Sequence, residues 1–375
     1  MVAVIDEYGG LSRITEFLEK FSCTQILLVT GKKSFTACGA EDVLEKALKD
    51  YNVTRFSDFE INPRLEDGIK GAGIAKEINA DVILSVGGGS PMDIAKLIKA
   101  FLPDISKAEA LVRGKVPVSY SEIPLLMVPS TAGSGSEATH FAVAYIGKEK
   151  FSLASEFLLP NAYILDGKLL QSAPAYQRAI NGLDALAQAT EGAWAAKSSE
   201  QTRALSYAAI EALVNFLPKI VHSNDPESLQ ASMRAANQAG QVINVTKTTA
   251  PHAFSYAFTS YHGVSHGHAV WMTLPAVFEQ HLAAKPEAIS DPRGPEHLKG
   301  VMRRLVDLYR LSSSQSAEDG LKSFMTSLGV EPEMIKMGDL DKEERTRLSK
   351  LVNRERMANN PVELGEMDVR KIFKI

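Results

Sequence analysis

The first 165 residues alternate short strand-like runs with segments of helical spacing, and this alternation restricts the possible fold more than any other feature. The apolar runs, rich in β-branched residues, occur at 25–30, 53–59, 81–86, 125–128, 141–146 and 162–165. Such alternation is typical of β-α-β units, whose strands form a parallel sheet flanked by helices. We therefore predict an N-terminal α/β domain built on a parallel sheet.

The remainder of the chain has a different pattern, without a convincing strand. Stretches rich in alanine and leucine show helical spacing at residues 175–222, 227–245, 269–283 and 297–330. A chain of 375 residues is long enough for two domains, each with its own core. The predicted organisation is an α/β domain over residues 1–168 and an all-helical domain over residues 169–375.

Composition excludes several classes of function. A formal net charge of -4 and the absence of a long basic run argue against a nucleic-acid-binding protein. Two cysteines, Cys23 and Cys38, give no disulfide framework and suit a reducing compartment. The N-terminus lacks the basic segment of a signal peptide, and no apolar run approaches the length of a transmembrane helix. We expect a cytoplasmic protein without a membrane or nucleic-acid partner.

Two glycine-rich turns follow predicted strands. The strand at 81–86 leads into GGGS at 87–90 and a helix that begins at Pro91, and the strand at 125–128 leads into STAGSGSE at 130–137. Glycines let backbone N–H groups approach a pyrophosphate, and a helix N-terminus favours its charge. One such turn is equally consistent with a tight connection that binds nothing. Two turns on neighbouring strands favour a nucleotide site at the carboxyl edge of the sheet.

A histidine-rich stretch near the middle of the helical region is a candidate for metal chemistry. It holds four of the chain's eight histidines: His252, His262, His266 and His268. His252 and His266 are fourteen residues apart with Gly263 between them, which indicates a helix, a turn and a second element. Imidazole is a common metal ligand, but histidines of a solvated loop or a hydrogen-bonded core would give the same spacing. The zinc-protease motif HExxH is absent.

A second segment, NGLDALAQATE at residues 181–191, carries polar groups on one helical face. Asp184, Gln188 and Glu191 share this face, while most other positions are alanine or leucine. A carboxylate buried among such residues needs a partner, and a cation is a suitable one. This segment therefore raises the case for a metal site.

Together these segments resemble the iron-containing (group III) alcohol dehydrogenases, from about residue 10 to the C-terminus. The family's metal-binding helix reads close to GxDALxHAxE, its histidine segment reads HxxxH...HG, and its nucleotide turns read GGGSxxDxAK and PTTAGTGSE. The resemblance implies a dehydroquinate synthase-like fold, with a nucleotide-binding α/β domain and an all-α metal-binding domain. It also implies a homodimeric, NAD(P)-linked oxidoreductase whose metal polarises an alcohol or carbonyl oxygen.

The resemblance carries a set of metal ligands onto this sequence. The implied ligands of Fe²⁺ or Zn²⁺ are Asp184, Gln188, His252 and His266. Gln188 stands where the family usually has histidine, which shifts the site towards hard oxygen ligands. Tyr256 stands where the family has a further histidine. We regard Tyr256 and His268 as possible substrate contacts.

The resemblance also assigns nucleotide contacts. They are Gly87, Gly88, Gly89, Ser90, Asp93, Ser130, Thr131, Ser134 and Lys150, with Asn62 after the second predicted strand as a further candidate. Family members often end the first strand in an aspartate that binds the adenine ribose and repels a 2′-phosphate. Here Gly31 takes that position, and Lys32 and Lys33 follow, which favours NADP over NAD. The alternative interpretation is that the two lysines only form the solvated start of a helix.

The substrate prediction rests on the neighbourhood of the ligands. The run TKTTAPHAFSY, with GLDALAQATE, is most similar to phosphonoacetaldehyde reductases, which also carry glutamine at the fourth ligand position. Oxidases of the terminal alcohol of an eight-carbon ulosonic acid are the second candidate, and both substrates are anionic. Lys247 and Thr248 precede a predicted helix start, where a lysine, hydroxyls and unused N–H groups would bind an anion. An equally consistent interpretation is that Lys247 extends to solvent and that the threonines only cap the helix.

Two other classes of function are consistent with the sequence. A dehydroquinate synthase-type lyase shares the fold and uses bound NAD transiently, although GLDAL follows the dehydrogenases. A non-catalytic nucleotide-binding relative would have lost its metal through Gln188. Steady NAD(P)H turnover with an aldehyde and metal analysis of the purified protein would distinguish the three.

Overall fold

The computed structural model describes residues 2–147, 149–333, 340–352 and 357–375, which form two compact units. The first unit comprises Met1–Ala173 with Asp225–Asn237, and the second comprises Pro174–Asn224 with Gln238–Ile375.

The segment Asp225–Asn237 lies within the region predicted to be all-helical, yet it packs with the first unit. Its polar side chains bond to the sheet. Gln230 Nε2 donates to the Leu165 carbonyl at 2.8 Å and to Asp6 Oδ1 at 2.6 Å, and Arg234 Nε donates to Asp6 Oδ2 at 2.5 Å. These contacts join residues more than sixty positions apart, so local helical spacing gave no sign of them.

Six strands in the described part of the first unit lie where they were predicted, and two more were not predicted. The strands are β1 (Ala3–Asp6), β2 (Gln25–Thr30), β3 (Asn52–Phe56), β4 (Val82–Gly87), β5 (Leu125–Pro129), β6 (Phe141–Ile146), β7 (Glu149–Ala154) and β8 (Ala162–Leu165). Those not predicted are β1 and β7. Among the described residues, six strands pair in parallel in the order β1-β8-β5-β4-β2-β3. The central strands are buried on both faces, which explains their continuous apolar sequences.

The helices of this unit cover the sheet. They are α1 (Thr15–Lys20), α2 (Ser34–Ala37), α3 (Ala40–Ala47), α4 (Leu65–Glu77), α5 (Gly89–Phe101) and α6 (Ala108–Val112). Apolar side chains of α1 and α3 pack with those of β2, β4, β5 and β8 in one core. The register sets Gly87 opposite Pro129, so the two glycine-rich turns begin side by side at one edge of the sheet.

One predicted strand pairs differently from expectation. Residues 141–146 form β6, but β6 pairs with β7 in an antiparallel hairpin outside the six-stranded sheet, so its predicted place in the parallel sheet is wrong. Gly147 has a left-handed φ of 61° and turns the chain sharply. A connection this short allows antiparallel pairing only, because parallel strands need a long crossover.

The helices of the C-terminal region form the second unit, except for the first part of α9, which belongs to the first unit. They are α7 (Ala175–Trp194), α8 (Glu200–His222), α9 (Pro226–Thr246), α10 (Ala250–His262), α11 (His266–Trp271), α12 (Leu274–Leu282), α13 (Pro295–Tyr309), α14 (Ala317–Ser327), α15 (Lys342–Leu348) and α16 (Glu366–Phe373). The helical pattern predicted over 175–222 is two helices. The Ser199 hydroxyl caps α8 by accepting a hydrogen bond from the Thr202 N–H at 3.2 Å.

Helix α8 is long and apolar enough, by length and composition alone, to cross a membrane, which the apolar runs of the sequence did not indicate. Core helices of globular proteins meet the same criteria. Here α8 packs so closely on α7 that a Cβ added at Gly182 would lie 2.2 Å from Leu217 Cδ1. We interpret α8 as a core helix of the second unit.

Candidate metal centre

Three predicted ligands converge within the second unit. Asp184 Oδ1 lies 3.4 Å from His252 Nε2 and 3.8 Å from His266 Nε2. One ligand atom from each of these side chains lies within 4.8 Å of the other two. Asp184 and His252 are buried, whereas the His266 side chain is 37% exposed. The cluster is therefore a small polar pocket with its accessible side at His266.

The chain brings the two histidines together through a helix, a turn and a second helix, as their spacing predicted. Helix α10 carries His252 and ends at Gly263, whose left-handed φ of 64° turns the chain. Helix α11 starts at His266 and lies against α7, and Gly267 is the point of closest approach. A Cβ at Gly267 would lie only 2.0 Å from the Ile180 carbonyl oxygen.

The donor set of this pocket fits a divalent cation. Asp184 Oδ1 and Gln188 Oε1 are buried and have no hydrogen-bond partner among the described residues. The Gln188 amide nitrogen donates to Asp184 Oδ2 at 3.2 Å. A buried oxygen without a partner is costly, and an ion would satisfy both oxygens. Oxygen and imidazole ligands together suit iron or zinc.

The electrostatics of the pocket also favour positive charge. Burial acts against the charged form of the His252 imidazole, but the carboxylates of Glu191 and Asp184 outweigh it and raise the pKa of His252. Burial likewise acts against the charged form of Asp184, but His266 and His252 outweigh it and lower the pKa of that carboxyl group. The cluster thus carries a carboxylate that needs a cationic neighbour.

Glu191 is the functional residue that the sequence pattern left without a role. Its carboxylate is fully buried and accepts a hydrogen bond from His252 Nδ1. It also accepts hydrogen bonds from the Thr249 N–H at 2.9 Å, the Thr249 hydroxyl at 3.0 Å and the His252 N–H at 3.3 Å. The signal available in the sequence was its position two turns after Asp184 on the same helical face.

These contacts correct one premise of the substrate prediction. The start of α10 was expected to offer unused N–H groups to an anion, but the N–H groups of Thr249 and His252 both donate to Glu191. Thr249 therefore supports the helix start. Thr248 is 1% exposed, and its hydroxyl has no hydrogen-bond partner among the described residues. Lys247 adopts a left-handed φ of 58° at the same bend.

The remaining histidines of the stretch lie in other surroundings. His268 is buried, with Nδ1 3.0 Å from the Tyr176 hydroxyl and Nε2 2.7 Å from the Glu331 carbonyl oxygen. Both ring nitrogens are engaged, so neither offers a hydrogen bond to a substrate in this arrangement. His262 Nε2 lies 2.6 Å from Glu344 Oε1. Tyr256 is half-buried on α10.

In the first unit, the two predicted nucleotide turns pack against each other. The Ser130 N–H donates to the Gly87 carbonyl at 2.8 Å. A Cβ at Gly88 would lie 3.3 Å from Thr131, and one at Gly89 would lie 3.4 Å from the Ser134 hydroxyl. These glycines therefore keep the backbone of the first turn close to the hydroxyls of the second.

Side chains behind the turns hold them in place. Asp93 Oδ1 accepts a hydrogen bond from the Ser136 hydroxyl at 3.0 Å. The fully buried Lys96 donates to the Ser136 carbonyl at 2.6 Å and to the Phe141 carbonyl at 2.8 Å. Ser90 donates through its hydroxyl to the Ile61 carbonyl. Asp93 and Ser90, both predicted to contact the nucleotide, thus bond to protein groups beside the turns.

The other predicted nucleotide contacts lie after β2, in the connection between β3 and α4, and on β7; the Pro63 carbonyl next to Asn62 accepts a hydrogen bond from the Tyr145 N–H at 2.8 Å. Arg55 donates to the carbonyls of Gly31 and Lys32, each at 3.2 Å, and so holds the bend after β2. Asn62 is exposed in the connection between β3 and α4. Lys150 lies on β7, opposite Tyr145 of β6.

Comparison with known proteins agrees with this arrangement. Residues 3–167 match the family described as iron-containing alcohol dehydrogenase, and residues 178–375 match the C-terminal domain of the Fe-containing alcohol dehydrogenase family. Phosphonoacetaldehyde reductase from Streptomyces viridochromogenes is 30% identical over 310 residues, which are 80% of this chain and 76% of that protein.

Two solved structures show the same fold. Sulfoacetaldehyde reductase from Bifidobacterium kashiwanohense, in complex with NAD+, is 23% identical with a TM-score of 0.87, covering 100% of this chain and 96% of that one. An iron-containing alcohol dehydrogenase from Thermotoga maritima is 26% identical with a TM-score of 0.82, covering 100% and 97%. The fold class predicted from the sequence is confirmed. The chain belongs to the iron-containing alcohol dehydrogenase family, as its motifs predicted, and is an oxidoreductase that acts on alcohols or aldehydes.

Proposed function

We propose that this enzyme reduces a small anionic aldehyde, with phosphonoacetaldehyde the first candidate. The reductant is NADPH or NADH, and the divalent ion is held by Asp184, Gln188, His252 and His266. One observation carries the proposal: carboxylate, amide and imidazole groups converge in a buried pocket in which two oxygens lack a hydrogen-bond partner among the described residues. A cytoplasmic location and a homodimeric state remain predictions.

The residues of the pocket have distinct tasks in this proposal. The bound ion would act as a Lewis acid towards the carbonyl oxygen, and the reduced nicotinamide would supply the hydride. Asp184 provides the negative charge that attracts the ion, and Gln188 adds a neutral oxygen. His266 has the most exposed side chain of the cluster, so we expect the substrate to approach from its side.

The anionic nature of the substrate is supported by two lines of evidence. Two similar proteins are named after a short aldehyde that carries an acidic group. They are the relative phosphonoacetaldehyde reductase and the structural neighbour sulfoacetaldehyde reductase. In this chain, Lys247 and the buried Thr248 hydroxyl lie four to five residues before the proposed ligand His252. A cation and a hydroxyl so close in sequence to a proposed ligand would suit a substrate with a negatively charged far end.

The bend after β2 supports a preference for NADPH. Gly31 leaves no carboxylate at this position to repel a 2′-phosphate. Lys32 Nζ lies 3.3 Å from Asp58 Oδ1, with the two side chains 57% and 71% exposed. An ion pair this exposed contributes little, so Lys32 can turn towards a phosphate at little cost.

A substrate screen tests both parts of the proposal. The purified enzyme, supplied with Fe²⁺ or Zn²⁺, is given phosphonoacetaldehyde, sulfoacetaldehyde and neutral aldehydes of similar size, each with NADPH and with NADH. An eight-carbon ulosonic acid is tested in the direction of oxidation, with NADP+ and with NAD+. We expect the highest kcat/KM for an anionic aldehyde, with NADPH about tenfold better than NADH, since one charged contact of about 1.4 kcal/mol gives this ratio. A preference for neutral aldehydes, or for NADH, would contradict the corresponding part. Oxidation of the ulosonic acid alone would support the second candidate substrate.

Lys247→Met tests the anion-binding role directly. Hydrogen bonds to charged groups contribute about 1.5–3 kcal/mol, so the variant should lose about 10- to 100-fold in kcat/KM for the anionic aldehyde. It should lose little for a neutral aldehyde of the same length. Lys299→Met, which removes an exposed lysine of α13, is the matched control and should change neither value. Equal losses on both aldehydes would assign Lys247 to structure alone.

A further inference from the structure

We infer that Glu191 is a positioning residue that determines which nitrogen of His252 is presented to the metal pocket. The inference rests on the proposed metal site and adds to it a residue outside the ligand set. It follows from the hydrogen bonds around the two oxygens of the buried Glu191 carboxylate, because each oxygen acts only as an acceptor.

The first oxygen, Oε1, faces donors only. It accepts hydrogen bonds from the Thr249 N–H at 2.9 Å, the Thr249 hydroxyl at 3.0 Å and the His252 N–H at 3.3 Å. The Thr249 hydroxyl accepts a hydrogen bond from Trp194 Nε1–H at 2.9 Å and donates its own hydrogen to Oε1. The two backbone N–H groups cannot reverse their direction, so Oε1 is locked as an acceptor.

The second oxygen, Oε2, contacts His252 Nδ1. An ionised carboxylate only accepts, so Nδ1 must carry the proton that it donates to Oε2. In the neutral ring the other nitrogen, Nε2, then has its lone pair exposed. That nitrogen lies 3.4 Å from Asp184 Oδ1, which is itself an acceptor. Two lone pairs facing each other form a position that suits a cation.

Glu191→Gln reverses this arrangement while preserving the size and shape of the side chain. The three donors around Oε1 oblige the amide to keep its carbonyl oxygen there. Its NH₂ group then points at His252 Nδ1, which must become the acceptor, so the ring proton moves to Nε2. The resulting Nε2–H donates to Asp184 Oδ1 and removes two atoms from the ligand set at once.

The test uses the full-length protein and has two readouts. The protonation of His252 nitrogens is read by ¹⁵N NMR of histidine-labelled, metal-free protein at alkaline pH, with His252→Gln identifying the signals. The affinity for Zn²⁺ is measured by competition with a chromogenic chelator. We expect a protonated Nδ1 in the parent and a protonated Nε2 in Glu191→Gln. We also expect a loss of about 10- to 100-fold in Zn²⁺ affinity, the usual effect of removing a carboxylate partner of a ligand histidine.

Thr249→Val is the matched control. It removes one hydrogen bond to the same carboxylate and the acceptor of Trp194 Nε1–H, but leaves the charge and the contact with Nδ1 unchanged. We expect its His252 signals and its Zn²⁺ affinity to match the parent. An unchanged tautomer in Glu191→Gln, or an equal loss of affinity in both variants, would overturn the inference. A parent protein that binds no divalent ion would overturn the proposed metal site, while the tautomer comparison would still decide the role of Glu191.

Discussion

The His252→Ala enzyme should contain no bound divalent ion and should lose about a thousandfold or more in kcat/KM. The substitution removes the one histidine of the cluster that is fully enclosed, with a side-chain exposure of 4%, and leaves the more accessible His266. Lewis-acid stabilisation contributes several kcal/mol, and each 1.4 kcal/mol or so corresponds to a tenfold change in rate. Metal content by elemental analysis and steady-state kinetics measure the two effects.

The same substitution should destabilise the fold, because the Glu191 carboxylate would stay buried without its histidine partner. Leaving a buried acceptor without its donor costs about 1–3 kcal/mol, and more when the acceptor is charged. The control is His262→Ala, which removes a histidine of the same stretch that contacts Glu344 instead of the cluster. It should keep its metal and its activity. Full metal content and full activity in His252→Ala would refute the ligand assignment.

Gly267→Ala should separate α7 from α11, two of the three helices that form the metal pocket. The added Cβ would lie 2.0 Å from the Ile180 carbonyl oxygen and 3.0 Å from Asp184 Cβ, and the first of these contacts is with backbone. Helix α11 must therefore move away from α7 and take His266 with it. We expect a loss of stability of about 1–3 kcal/mol, the usual effect of overpacking, together with reduced metal content.

A second glycine-to-alanine substitution shows whether this effect comes from the contact or from the residue type. Gly300 lies inside α13, and a Cβ there would meet nothing within 4 Å. Gly300→Ala should be neutral or stabilising by about 0.4–1 kcal/mol, because alanine restricts the unfolded chain. Urea unfolding and metal analysis of both variants provide the comparison. Parent-like stability and metal content in Gly267→Ala would contradict the close approach of α7 and α11.

Much of the fold could be predicted from the sequence because its signals are local. Strands buried on both faces of a parallel sheet must be continuously apolar, and β2, β4 and β5 were recognised from that property alone. The strand β6 was also located, but its partner was not, since pairing depends on the turn that follows it. The four-residue edge strand β1 is too short for its sequence to distinguish it from a loop.

The candidate metal site, too, could be predicted only as far as its signals are local. Periodicity put Asp184 and Gln188 on one helical face, and the spacing of His252 and His266 around Gly263 indicated two elements joined by a turn. The convergence of these side chains follows from the packing of α7, α10 and α11, which the resemblance implied and the spacing could not.

Only the tertiary structure decided how the neighbouring polar groups are used. Glu191 was an acid on a helical face until folding enclosed it with four donors, two of them N–H groups expected to be available to a substrate. His268 belongs to the same short stretch as the proposed ligands, yet folding turned it towards Tyr176 and the Glu331 carbonyl. The sequence by itself determined which residues could act as ligands, because residue type and spacing are local properties. Hydrogen-bond partners distant in sequence determined which of them face the pocket, because a buried polar atom takes whatever partner the packed helices bring within reach.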